Sequence, residues 1–284
     1  MIWKDCIKML KMKKCITSFD LKMMALITMF IDHLGGMVLR PLIQASFSIT
    51  AETHINASLS ERLLIWISEH QDVMTNLYWI MRTIGRCAFP IYCFLIVQGF
   101  LHTRSVKKYM LRLALFAIGT EMFLDFGSQG VLLNFDDSNV FFTLLAGLAV
   151  IAFVAYMEPY CRTWSEKAGK NLIFWLTYIG VVLLALIPIC VVVYFLHSDY
   201  SIYGVLTIVV MYLFRKYRLL SYALGLMMLI RLNFTSITIF AFVVLIPLAL
   251  YNGEKGKSAK YFFYAFYPLH IAALAVISDI LLML

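Results

Sequence analysis

The order of apolar and polar positions divides the chain into nine long hydrophobic runs, at about 21–42, 79–101, 109–126, 138–157, 171–196, 199–214, 217–231, 233–251 and 261–283. Most approach the roughly 20 residues that a helix needs to cross a bilayer. They are continuous rather than alternating, which predicts helices and not the strands of a barrel. The expected fold class is therefore all-α: a polytopic transmembrane helical bundle of about nine spans, with no internal repeat. The runs at 199–214 and 217–231 are short and read equally as two tight crossings or one re-entrant hairpin. Between the first two runs lies an outer loop, 43–78. Within it Leu63, Leu64, Trp66 and Ile67 recur at helical spacing, which fits either an interfacial helix or a connector with one amphipathic turn.

Composition agrees with this pattern. Hydrophobic residues make up 62% of the 284 and charged residues 14%, with a mean hydropathy of +0.85; an ordinary soluble chain carries about 25% charge. The net charge of +8 invites nucleic acid as a partner, but the basic residues fall in short loops between runs, so none is expected. Eighteen of the 24 lysines and arginines lie on one set of alternate loops, 104–112, 162–170, 215–218 and 255–260, and on the arm before the first run. Glu52, Glu61, Glu69, Asp72, Glu121, Asp125, Asp136, Asp137 and Asp199 collect on the other set. The positive-inside rule then places the N-terminus inside and the C-terminus outside. Residues 1–20 form a basic cytoplasmic arm without a cleavable-signal pattern, and 21–284 a single transmembrane domain. The six cysteines show no paired or metal-ligand spacing, and no metal is expected. Asn56 and Asn233 open glycosylation sequons that carry no weight.

Candidate chemistry lies where lipid would be expected. Asp32 and His33 stand side by side in the first run, and ionisable groups at that depth are costly enough to mark a site. A histidine beside a carboxylate suits proton removal from an attacking hydroxyl or amine; the plainer reading is a pair of hydrogen-bonding groups that hold helices together. Lys22 precedes His33 by eleven residues, about three turns and roughly 16 Å along the same helix face. Arg82 and Arg86, one turn apart, face Glu121 and Asp125 at the outer end of the third run. Buried ion pairs are expected there, serving as a clamp or leaving an arginine for a developing oxyanion. Pro90 is placed to bend the second run near Arg86. At its inner mouth, His102, Arg104, Lys107 and Lys108 could hold phosphates or serve only topology. The last run carries Tyr267, Pro268 and His270 to the depth assigned to His33.

The stretches LKMMALITMFIDHLGG, RTIGRCAFPIYCFLIVQGFLHTRSVKKYMLRL, EMFLDFG, NVFFTLL, DYSIYGVL and KYFFYAFYPLH together resemble the TraX family, membrane proteins named for a conjugation-associated pilin acetyltransferase. The Lys22-to-His33 spacing is also similar to the basic-x10-His signature of membrane acyltransferases that O-acylate polysaccharides. The resemblance implies an acetyl-CoA-dependent acetyltransferase of the bacterial cytoplasmic (inner) membrane, with a pilin or envelope glycan as acceptor. It implies catalytic roles around His33, Asp32, Arg82, Arg86 and His270, and donor binding by Lys22, Gln98, His102, Arg104, Lys107 and Lys108. Gln98 departs from the family's glutamate and keeps hydrogen bonding without charge. Two other functions fit the residues: a proton-coupled transporter, and a non-catalytic envelope assembly factor. Acceptor atom, acyl chain and oligomeric state are not encoded legibly.

Overall fold

In the computed structural model the described residues are 15–48, 58–129, 138–169, 171–230 and 239–283; the side chains of 123–129, 260, 261 and 264 are outside this set. Helices account for nearly all of it, and among the described residues there is only an isolated bridge, Ile16 to Tyr251, in place of any strand. In chain order they are α1 (Ser18–Leu34), a π-helical turn (Gly35–Leu39), α2 (Arg40–Ser46), α3 (Leu59–Glu69), α4 (Gln71–Gly85), α5 (Ala88–His102), α6 (Val106–Gln129), α7 (Val140–Ala168), α8 (Asn171–Phe195), α9 (Ser201–Leu213), α10 (Arg218–Ile230), a 3-10 turn (Phe240–Val244), α11 (Leu245–Ala249) and α12 (Lys260–Met283).

Five stretches are long and apolar enough to cross a bilayer: Ser18–Ser46, Gln71–His102, Val140–Ala168, Asn171–Phe195 and Ala265–Met283. The chain is thus a multi-pass, all-helical membrane protein, and the expected nine spans reduce to five among the described residues. Three of the expected runs are helices too short to cross by themselves, at Ser201–Leu213, Arg218–Ile230 and Phe240–Ala249. Of the expected arm 1–20, residues 1–14 lie outside the described residues and Ser18–Asp20 already belong to α1; the asparagines of both sequons also lie outside. The expected loop 43–78 is largely helical: α2 ends at Ser46, α3 supplies the amphipathic helix, and α4 already starts at Gln71. The second run is not one straight helix either. It breaks at Arg86–Cys87, just before Pro90, whose missing N–H is tolerated in the first turn of α5.

The chain forms two compact units, Met1–Tyr92 with Ser236–Leu284, and Cys93–Thr235. In the first, α1 begins at a capping box. The Thr17 amide donates to Asp20 Oδ2 at 2.8 Å while Thr17 Oγ1 accepts from the Asp20 amide at 3.4 Å. The chain after α11 clasps this end, with Ser18 N donating to the Glu254 carbonyl at 2.8 Å and Phe19 N to that of Lys255 at 3.1 Å. Further along, Val38, Leu42 and Ile43 pack with Leu64 and Ile67 of α3 and Leu274 of α12. Leu64 and Ile67 are buried, whereas Trp66, which the amphipathic pattern groups with them, is exposed and stacks on His70. Helices α1 and α12 run parallel. Phe19 meets Phe263 at their start (centroids 5.8 Å apart), and Phe30, three turns further along α1, meets Phe266, less than one turn further along α12 (6.2 Å).

In the second unit, α7 packs on α9 through Gly147, where an added Cβ would overlap the Ile208 side chain. Lacking a strong hydrophobic drive between helices in lipid, close approach at small residues supplies the packing. Replacing Gly147 by Ala is expected to destabilise the protein by about 1–3 kcal/mol. Thermal unfolding in detergent checks this, and Ile208→Ala in the same chain should recover part of the loss.

Candidate functional site

The first unit gathers Asp32, His33, Arg82 and His270, from α1, α4 and α12. Adjacent residues on a helix point about 100° apart, so Asp32 and His33 serve different neighbours. Asp32 faces α4, where its Oδ2 accepts from Arg82 Nη1 at 2.6 Å. The same guanidinium nitrogen reaches the Asp32 backbone carbonyl at 3.5 Å. Asp32 and Arg82 side chains keep 18% and 24% of their surface exposed, so the pair is largely withdrawn from solvent. Arg86 follows one turn after Arg82, half buried, and adds positive potential at Asp32.

His33 faces α12. Its Nδ1 lies 2.7 Å from His270 Nε2, and the two rings meet edge to edge, with centroids 5.0 Å apart and planes 16° from parallel. His270 is 5% exposed, and its Nδ1 lies 2.7 Å from the Phe266 backbone carbonyl. These contacts fix the tautomers. A carbonyl only accepts, so His270 Nδ1 carries a hydrogen. The neutral ring then has its lone pair at Nε2, which accepts from His33 Nδ1–H. The lone pair of His33 is left at Nε2, which has no hydrogen-bond partner among the described residues. Tyr267 closes on both rings edge-on, at 6.1 Å from His33 and 5.6 Å from His270.

Two sequence expectations change. The imidazole of His33 is oriented by His270 rather than by Asp32, because neighbours on one helix cannot share a face. Arg82 has Asp32 of α1 as its ion-pair partner, which the sequence reading did not assign to it. Glu121 instead takes the Asn139 backbone amide at 2.9 Å and the Asn139 Nδ2 at 2.6 Å, deep in the second unit. The Asp125 side chain lies outside the described residues.

Lys22 sits half buried near the start of α1, its ammonium 5.7 Å from the centroid of the Phe263 ring. Three turns separate it from His33 on the same helix, while their α12 neighbours, Phe263 and His270, are two turns apart. Gln98, His102, Arg104, Lys107 and Lys108 belong to the second unit, at the end of α5 and the start of α6. Gln98 is half buried and its carbonyl accepts from His102 Nδ1 at 2.8 Å; His102, Arg104, Lys107 and Lys108 are exposed. Among the described residues no cluster of His, Cys, Asp or Glu could hold a metal ion.

Gly85 is a site residue that the sequence reading missed. It ends α4 against Asp32, and a Cβ added there would overlap Asp32 Oδ1, Cβ and Cγ. Gly36 stands similarly near Arg82, its would-be Cβ 3.3 Å from Nη1. The π-helical turn carries that glycine past α4 immediately after the Asp32–His33 pair; such insertions recur at functional sites. In the sequence, Gly85 reads as an ordinary helix-end glycine, and nothing local announces the carboxylate above it.

No solved structure matches the chain. It is similar to the probable fimbrial assembly protein FimC, serogroup H1, of Dichelobacter nodosus: 27% identical over 254 residues, covering 81% of this chain and 94% of that protein. The family model described as TraX protein matches residues 18–278, a range that holds every member of the His33–His270 and Asp32–Arg82 pairs. The chain belongs to the TraX family.

Proposed function

We propose that this protein is an acetyltransferase of the bacterial inner membrane, moving an acetyl group from acetyl-CoA to an amine or hydroxyl of a pilin or cell-envelope acceptor. The observation that carries this reading is the one-directional chain Phe266 carbonyl, His270, His33. It leaves a basic nitrogen, His33 Nε2, at the end of a fixed relay, which is what a general base requires: a nucleophile's proton acceptor whose other side is held by an orienting group. His33 Nε2 takes the proton as the acceptor nitrogen or oxygen attacks the thioester carbonyl. His33 then returns it to the departing thiolate, so that the acetylated acceptor and free CoA leave with the ring neutral again. As the ring charges, its Nδ1–H bond to His270 strengthens, because a hydrogen bond from an ionised donor is stronger than a neutral one. Asp32 and Arg82 brace α1 on α4 and keep a guanidinium beside the histidine, where oxyanion charge would develop.

The donor supplies an activated acyl group. Lys22, a half-buried ammonium without a carboxylate within 4 Å among the described residues, is suited to its phosphates. The test is to incubate membranes containing the protein with acetyl-labelled CoA and follow label into acceptor, with no membrane gradient imposed. Label transfer supports the enzyme; uptake that needs a proton gradient, without label transfer, would replace it by a transporter.

His270 allows a sharper check. In His270→Leu the relay loses its acceptor, and transfer should fall by roughly 10²-fold. His270→Gln, whose amide oxygen can accept from His33 Nδ1–H, should recover a measurable part of the rate. A second reading, a non-catalytic assembly factor, is favoured by the name of the Dichelobacter nodosus relative, a probable fimbrial assembly protein. It requires that His33 and His270 tolerate substitution while assembly continues.

A further inference from the structure

Away from the histidine pair, the second unit carries a charged cluster that acyl transfer leaves unused. Glu158 of α7 accepts from two guanidiniums, Arg162 Nη2 on its Oε1 at 2.7 Å and Arg215 Nη2 on its Oε2 at 3.2 Å. Glu166, one turn after Arg162, adds a second carboxylate to the cluster, and Lys167, Lys216 and Arg218 beside the two arginines keep its balance positive. Each arginine has five N–H donors; besides Glu158, Arg215 donates from Nη1 to the Tyr212 carbonyl at 3.1 Å and bonds the Tyr178 side chain, which still leaves N–H groups on both guanidiniums for a further acceptor. The guanidiniums are also seated on aromatic faces, Arg215 at 4.1 Å from the Tyr212 ring and Arg162 at 5.3 Å from that of Phe174. Fixed at both the carboxylate and the ring, they present a pre-oriented pair of forks, the geometry that suits a phosphate.

The surroundings select the kind of phosphate. Helix α7 has 29 residues, about 43 Å of rise, against roughly 30 Å of hydrocarbon, so one end must emerge into the headgroup layer. Exposed Tyr156, Tyr160, Trp164, Trp175 and Tyr217 gather around the Arg162 end, as aromatic residues do at a membrane surface. Helix α8 starts beside them and runs away as an exposed apolar wall of Leu172, Leu176, Ile179 and Leu183. A ligand that satisfies both features is amphiphilic, with its phosphate on the arginines and its acyl chains along α8. Basic pockets between transmembrane helices bind acidic lipid headgroups by this division of labour.

We propose that Arg162 and Arg215, spaced and oriented by Glu158, form a binding site for the phosphate of an anionic phospholipid at the membrane surface. Native mass spectrometry of the purified full chain, offered phosphatidylglycerol and phosphatidylethanolamine in equal amounts, tests it. The expected result is preferential retention of phosphatidylglycerol, weakened about fivefold by either Arg162→Gln or Arg215→Gln and partly restored by the corresponding lysines. The Arg162 side chain is 62% exposed, so its removal should leave lipid-free melting unchanged and keeps the test interpretable if Arg215→Gln misfolds. Equal retention of both lipids, or retention unaffected by both substitutions, would reduce the cluster to an ion-pair brace. Displacement of the bound lipid by free CoA or inorganic phosphate would assign the site to a soluble phosphate and overturn the lipid proposal.

Discussion

His33→Ala is expected to lower acetyl transfer by about 10²- to 10⁴-fold, the range over which a positioned general base acts, while membrane insertion and yield stay at the wild-type level. The direction follows from the relay: His33 Nε2 is the one relay nitrogen whose lone pair is not already accepting a hydrogen bond from within the relay. Alanine removes that lone pair and leaves His270 Nε2 without its donor, which a water can replace. The measurement is the initial rate of labelled acceptor formation, normalised to folded protein in the membrane. A rate within a factor of two of wild type would end the assignment of His33 as the base. Comparison with Asp32→Asn separates the two neighbours. That change weakens the Arg82 contact and leaves the histidine relay intact, so its loss of rate should be the smaller.

Gly85→Ala should produce the second large effect, although it adds a single methyl group. That methyl would occupy the space of the Asp32 carboxyl, so either the carboxylate leaves Arg82 or α4 withdraws from α1. Overpacking of this kind costs about 1–3 kcal/mol, and displacement of a largely buried ion-pair member adds to it. The expected outcome is a lower unfolding temperature together with reduced transfer. The double variant Gly85→Ala with Asp32→Ala separates steric from other causes, because the methyl then has room. Its destabilisation should be smaller than the sum of the two single changes by about 0.5–3 kcal/mol. Additive losses would mean that Gly85 does not act through Asp32.

The helical class, and where the chemistry concentrates, could be read from the sequence because both follow from local rules. Long continuous apolar runs admit only helices, and an Asp-His pair inside one is conspicuous by its cost. The meeting of His33 with His270 was within reach, since equal depth in two runs that enter from one side makes contact possible. Partner choice was not. Asp32 and His33 look like a pair in one dimension, yet the 100° step of the helix sends them to α4 and α12 separately. Arg82 finds Asp32 because Gly85 lets the two helices approach, and no periodicity reports a missing Cβ. Five of the nine expected spans are long apolar helices among the described residues, and the shortness of three others has a similar cause. Hydropathy registers apolar content, whereas the lengths of α9, α10 and α11 depend on where turns at Phe214–Tyr217 and Leu250–Tyr251 interrupt the helix.

The clasp of residues 250–255 on the start of α1, and the parallel course of α1 and α12, make the relay a late product of synthesis. Imidazole 33 emerges early, yet the ring that orients it arrives only when most of the polypeptide has been made. A nascent chain halted before α12 would therefore lack the acceptor for His33 Nδ1–H, and under the proposed function acetyl transfer is expected to appear only when α11 and α12 are supplied, even as a separate polypeptide.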